Sequence, residues 1–369
     1  MLRNPNFILK YPSPSPSQHL QSYYKRISLA ASATKLASDI EVEEDATTTK
    51  WGEFARNVSG EWDGYGAEFT REGQPIQLPE YVVPEAFREW EVQVFDWQTQ
   101  CPTLAEPEEH VLVYKLIKLL PTVGCEADAA TRYSIDERNV GGINNKVSAF
   151  AYHSSGCYAA LWPMEDHERY RLLELEHCLV DPHNRESRVR IIQVVQVDKM
   201  MSLQHIKVFR EQWYGPFRNG EQLGGCSIRD SAFASTNAIK GSEVIGVWQS
   251  SNAVALFQSS QTVSFVVSFC KEHFLAYNKY AAELKIWFSS VVVVDDSVHM
   301  NILQELVDDK PRKSVRDEHG LTLLPKQLWC SLKEREDGET CGEVGWMFDH
   351  GSAITSRFVF SEDGNLKAS

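Results

Sequence analysis

Arg188-Val-Arg-Ile-Ile-Gln-Val-Val-Gln-Val197 is the stretch that decides the fold class. It is rich in β-branched residues and alternates with a period of two, the mark of a β-strand. Trp90-Glu-Val92-Gln-Val94-Phe95 alternates apolar with polar, as a half-buried strand does. Residues 109–120, closed by Pro121, lean towards strand through their β-branched and aromatic content. Residues 146–162 and 169–180 read as strands too. A second run opens at residues 203–217 and continues at 243–248, 253–257, 322–332, 343–348 and 354–360. Asn219-Gly220, Asp337-Gly338 and Asp363-Gly364 are turn dipeptides. Many short strands at close spacing predict barrels or sandwiches rather than an α/β enzyme.

Two G-x-W steps stand in these runs, Gly60-Glu-Trp62 and Gly246-Val-Trp248. Glycine permits a close backbone approach, and a tryptophan can close the end of a small barrel. The pair resembles the calycin signature. The expected fold is mainly β: two calycin- or lipocalin-like β-barrels in tandem with few short helices. The expected divisions are 46–198 and 199–369. Residues 259–300 break the short-strand rhythm with apolar sequence of no clear period, and are expected to be an insertion, a translated intron or a partner-binding excursion.

Residues 1–38 carry five basic side chains and no acidic one, are Ser-rich, and hold three Pro-Ser steps between Tyr11 and Gln21. This is the composition of an organellar transit peptide, with serine abundance favouring the plastid. Residues 1–45 are expected to be that address and a disordered leader. The rest carries 32 basic against 51 acidic residues, a surface that repels nucleic acid and anionic lipid. No run of 18 or so apolar residues predicts a membrane span.

The sequence holds no G-x-S-x-G, Walker A, G-x-G-x-x-G, H-E-x-x-H or EF-hand pattern. None of the eight cysteines forms a C-x-x-C pair, so zinc ribbons and thioredoxin motifs are not supported. His153, Cys157, His167, His177, Cys178 and His183 form the nearest approach to a metal or hydrolytic cluster, and their spacing fits no common site. Glu80, Glu85, Glu89, Glu91 and Asp96 read as a solvated acidic face. Cys101 and Cys157 lack a visible activating partner. Trp90, Phe95, Trp97, Trp213, Tyr214 and Phe217 either fill cores or line an apolar pocket. No catalytic residue, metal or cofactor is assigned.

Longer strings carry a second resemblance. Gly60-Glu-Trp-Asp-Gly-Tyr-Gly-Ala-Glu-Phe69, Leu78-Pro-Glu-Tyr-Val-Val-Pro-Glu-Ala-Phe-Arg-Glu-Trp90 and Trp90-Glu-Val-Gln-Val-Phe-Asp-Trp-Gln-Thr-Gln-Cys-Pro102 are three of them. Gly246-Val-Trp-Gln-Ser-Ser-Asn-Ala-Val254 and Asp317-Glu-His-Gly-Leu-Thr-Leu-Leu-Pro-Lys-Gln-Leu-Trp-Cys330 are two more. Together they resemble the plant biogenesis factors required for chloroplast ATP synthase, over residues 51–258 and 301–364. The resemblance implies a stromal, non-catalytic protein of two calycin-like barrels. It implies a scaffold that assembles the synthase's soluble head through the β and γ subunits, with α as a further candidate. It supplies no contact residue and no oligomeric state. The alternatives are a barrel carrier, or lyase-like protein, for a hydrophobic pigment or lipid, and a hydrolase built on the Cys/His cluster.

Overall fold

The computed structural model describes residues 49–123, 131–167, 170–198, 200–221, 232–257, 261–270, 303–305, 307–335, 338–348 and 351–360. Thr49 opens the first helix among the described residues, α1 (Lys50–Val58), by accepting a hydrogen bond from the Gly52 amide on its hydroxyl. Trp51, Phe54, Ala55 and Val58 fall on one face and are buried. Two shorter helical turns follow later, α2 (Glu85–Glu89) and α3 (Gly241–Val244).

Apart from single 3-10 turns at Glu80–Val82 and Phe233–Ser235, the rest of the regular structure among the described residues is strand. The first ten are β1 (Glu61–Thr70), β2 (Asp96–Gln100), β3 (Thr103–Glu106), β4 (Val111–Leu119), β5 (Arg132–Val140), β6 (Ala149–Tyr152), β7 (Tyr158–His167), β8 (Tyr170–Val180), β9 (Ser187–Val197) and β10 (Met201–Gly215). They run next to one another as β6-β7-β8-β9-β10-β1-β2, then β4, which pairs β3 on one side and β5 on the other. With β13 (Leu303–Glu305) parallel to β6, this sheet has eleven strands and curls into a half-barrel. A second sheet of seven runs β14-β11-β12-β18-β17-β16-β15. Its strands are β11 (Gly246–Phe257), β12 (Gln261–Cys270), β14 (Val307–Arg316), β15 (Leu321–Leu324), β16 (Leu328–Glu334), β17 (Thr340–Met347) and β18 (Ser352–Phe360).

Alternation along β8 and β9 sorts their side chains onto two buried faces rather than one dry and one wet. Leu173, Leu175, Leu179, Val189, Ile191 and Val195 join Leu328, Cys330, Val344, Trp346, Ile354, Phe358 and Phe360 of the second sheet in one core. The other face carries Glu174, Glu176, Cys178, Arg188 and Arg190, all buried in the hollow of the first sheet.

Several expectations need correction. The stretch Trp90 to Phe95 is not a strand: α2 ends there, Glu91 adopts φ 54°, and Trp90, Val92 and Gln93 are exposed, so β2 begins only at Asp96. Residues 146–162 are a hairpin, turned at Gly156 with φ 94°. The second G-x-W strand starts at Gly246, because Glu243 and Val244 belong to α3. The position 198/199, where a division is expected, lies between β9 and β10, which pair antiparallel in the first sheet. Within 259–300, residues 261–270 are β12, laddered to β11 on one side and β18 on the other, and therefore part of the second sheet. Residues 271–300 and the leader at 1–48 lie outside the described residues.

Candidate functional site

The hollow of the first sheet is built on charge. Glu176 sits fully buried on β8 and accepts hydrogen bonds from Tyr114 Oη (2.6 Å), Trp162 Nε1 (2.8 Å), Arg138 Nη1 (2.9 Å), Tyr158 Oη (3.0 Å) and Arg190 Nη1 (3.0 Å). Burial alone pushes its carboxyl upward, but the Arg138 and Arg190 guanidiniums and the Tyr114 hydroxyl outweigh that and hold it down at about 2. Glu211, on β10, accepts from Arg188 Nε (2.7 Å) and Arg190 Nη2 (2.8 Å). Glu174 takes Arg138 Nη2 at 2.6 Å and Lys207 Nζ at 2.7 Å. Three guanidiniums thus face three carboxylates, all six buried.

Aromatic rings floor the network. Arg188 lies 4.1 Å over the Trp62 ring, Arg190 5.0 Å over Phe209, and Arg138 5.1 Å over Trp162. One end of the hollow is stoppered by α1, whose Trp51, Phe54 and Val58 join Trp62, Tyr114, Tyr152 and Tyr158 in a second core. At the other end, half-buried Lys118 bonds Glu68 at 3.1 Å and stands 5.3 Å over Trp97.

The G-x-W residues occupy equivalent corners of the two sheets. Gly60 has φ 143° and Gly246 φ 145°. Trp62 Nε1 donates to the Val58 carbonyl at 2.9 Å and Trp248 Nε1 to that of Val244 at 2.8 Å, each closing onto the preceding helix. Arg316 covers Trp248 at 4.9 Å as Arg188 covers Trp62. Arg316 Nε in turn donates to Glu343 Oε1 at 2.6 Å, and Arg357 pairs with the same carboxylate. So each corner is a helix, a glycine, a tryptophan, an arginine and a glutamate.

The Cys/His residues do not converge. His177 and Cys178 point to opposite faces of β8: His177 Nδ1 meets Ser356 Oγ at 2.7 Å in the core between the sheets, while Cys178 joins the Trp62 cluster. Cys157 is buried in that inter-sheet core, and His183 is exposed in a turn. The side chain of His167 is outside the described residues. Among the described residues no three His, Cys, Asp or Glu side chains are grouped to hold a metal. Cys101 and Cys157 are both fully buried, and burial pushes their thiols up.

Sequence reasoning passed over Arg138, Glu174, Glu176, Arg188, Arg190 and Glu211. A signal was present: Leu-Glu-Leu-Glu at 173–176 and Arg-Val-Arg at 188–190 set charges of opposite sign at every second position of neighbouring apolar strands. Of the expected surface residues, Glu80, Glu85, Glu89 and Glu91 are exposed, whereas Asp96 is buried, with Oδ1 accepting from the Ala234 amide at 3.3 Å. Trp97 is buried and stacks on Tyr133 (4.8 Å), while Trp90 is 62% exposed. Trp213 and Tyr214 are also exposed.

No protein-family model and no curated protein matches this chain. Among solved structures, seven chains match. One is a protein of unknown function from the DUF3598 family of Nostoc punctiforme, 11% identical, with a TM-score of 0.45 over 87% of this chain and 97% of that one. Another is a putative AttH from Nitrosomonas europaea, 10% identical, with a TM-score of 0.17 over the same shares.

Proposed function

We propose that this chain is a non-catalytic assembly factor of the chloroplast stroma that binds unassembled β and γ subunits of the ATP synthase head, with α as a further candidate. The observation that carries the reading is the filling of the first sheet's hollow. There the protein's own guanidiniums, carboxylates and rings are buried against one another, and the charged groups are ion-paired. An apolar pigment or lipid would have to displace buried ion pairs, at a cost no dispersion contact there repays. Glu176, with five donors on its two oxygens and held ionised, is a structural acceptor rather than an acid or base.

Binding is thereby left to the outer surface, where the strings that resemble the biogenesis factors supply exposed aromatic and acidic side chains at residues 80–92. The repeated corner of glycine, tryptophan and arginine supports reading the two sheets as a calycin-like pair in tandem. A scaffold of this kind covers surfaces that are exposed only before assembly. The test is direct binding of residues 49–369 to purified chloroplast ATP synthase β and γ subunits, and to the assembled head. Binding to free subunits, weaker for the assembled head, is the expected result. No binding to either subunit by the folded protein overturns the reading.

A further inference from the structure

A small satellite core forms a cluster of its own: Leu78, Val82, Val83 and Trp97, with Phe87, Val94 and Leu120 packed against it. Among the described residues, several large side chains on its outer side are exposed. Tyr81 is 78% and Trp90 62% exposed, and Val92 and Tyr133 are exposed beside them. These side chains are held rather than loose. The Tyr81 and Tyr133 hydroxyls are 3.0 Å apart, the Tyr133 ring stacks on Trp97, and the Trp90 ring meets Phe87 edge-on at 6.3 Å. The Val92 amide donates to the Phe87 carbonyl at 2.8 Å, fixing the turn that presents Trp90. Around these aromatics the segment 80–91 carries Glu80, Glu85, Glu89 and Glu91 against one base, Arg88, and all five are exposed.

We propose that Tyr81, Trp90, Val92 and Tyr133, with Glu80, Glu85, Glu89 and Glu91, form the surface that docks an arginine- and lysine-bearing face of the partner subunit. This rests on the assembly-factor reading and names the surface it uses. Preorganised, exposed Trp and Tyr are the side chains that anchor interfaces at least entropic cost. The acidic rim selects the sign of the partner: basic side chains pair with it and stack their guanidiniums on the rings. A second copy of this chain would set the same carboxylates face to face, so the rim also opposes self-association.

The test uses residues 49–369 with three sets of changes, each checked for an unchanged melting temperature. Tyr81→Ala with Trp90→Ala removes the anchors. Glu80→Gln, Glu85→Gln, Glu89→Gln and Glu91→Gln together remove the rim. Val315→Ser, at a 65% exposed site on the second sheet, is the control. Affinity for the purified β and γ subunits is measured between about 50 and 300 mM salt, a range over which screening of exposed charges changes strongly. The expected result is at least a tenfold loss on removing the anchors. The rim change should slow association several-fold at low salt and flatten the salt dependence, and the control should leave both unchanged. Wild-type-like binding by both patch variants overturns this inference and leaves the assembly reading standing. Failure of the unaltered protein to bind either subunit overturns both.

Discussion

Glu176 shows at a single position how this protein combines burial with charge. Its carboxylate lies in the sheet's hollow with five donors around it, two of them guanidiniums. Neutralising it leaves three buried guanidiniums to the two carboxylates of Glu174 and Glu211, and breaking a buried pair from one side costs about 3–5 kcal/mol. Glu176→Gln is therefore expected to lose about that much in urea unfolding at pH 7, against a few tenths for Glu137→Gln, whose carboxylate is exposed. Because the folded carboxyl is held near 2, its contribution is complete above the unfolded value of about 4.5 and fades as pH falls from there towards 2. The sequence announced that residue 176 lay on a strand but not which side was wet. Alternation of charge with apolar side chains reads as a solvent-facing strand unless the opposing charges on the next strand are counted as well. That pairing is long-range, and one sequence does not display it.

At the scale of the element, the glycine and indole of the two tryptophan corners were the most legible feature, because they stand two residues apart in the chain, whereas the helices that precede them were not read. The corners' closing partners, Arg188 with Glu211 and Arg316 with Glu343, were not legible either, since the arginines lie 126 and 68 positions along the chain from Trp62 and Trp248 (188 − 62; 316 − 248). The two glycines also differ in a way no sequence shows. A β-carbon on Gly60 would stand 2.1 Å from Trp213 Nε1 and 2.8 Å from the Gly215 carbonyl oxygen, whereas one on Gly246 meets nothing within 4 Å. Both have positive φ, so both alanine variants carry backbone strain of about 1–3 kcal/mol. Gly60→Ala is expected to add a steric term and cost more than Gly246→Ala, with the ranking read from paired melting curves. The misjudged strand from Trp90 to Phe95 has a similar origin. Its alternation is real, but a left-handed residue at Glu91 turns the chain outward, and the apolar members become surface.

In the whole molecule, the convex side of the first sheet and one face of the second share a single core, with His177 inside it. Burial holds that imidazole down at about 3, against upward pulls from Glu176 and Gln193, so it stays neutral at any working pH. The unfolded chain takes up a proton near 6.5 that the folded one refuses. Stability is therefore expected to fall as pH drops from about 6.5 towards 3, by roughly 1.4 kcal/mol for each pH unit well inside that window. His177→Asn should flatten that part of the profile. Since both sheets contribute to the core, secondary structure and tryptophan fluorescence should report one coincident transition in both proteins; separate transitions would show that the sheets unfold independently.

The ion network also bears on how β9 and β10 find each other. Arg188 stands opposite Glu211 in their ladder, and Arg190 opposite Phe209. A strand as rich in valine and isoleucine as β9 offers little to distinguish one alignment from the next. Slipping it by a single residue would turn both guanidiniums towards the core between the sheets and bring Ile191 and Val189 against the carboxylates. Such an alignment would carry buried, uncompensated charge and could not persist. The charges inside the half-barrel thus act as an error check during folding, rejecting the misaligned hairpins that its aliphatic strands would otherwise accept.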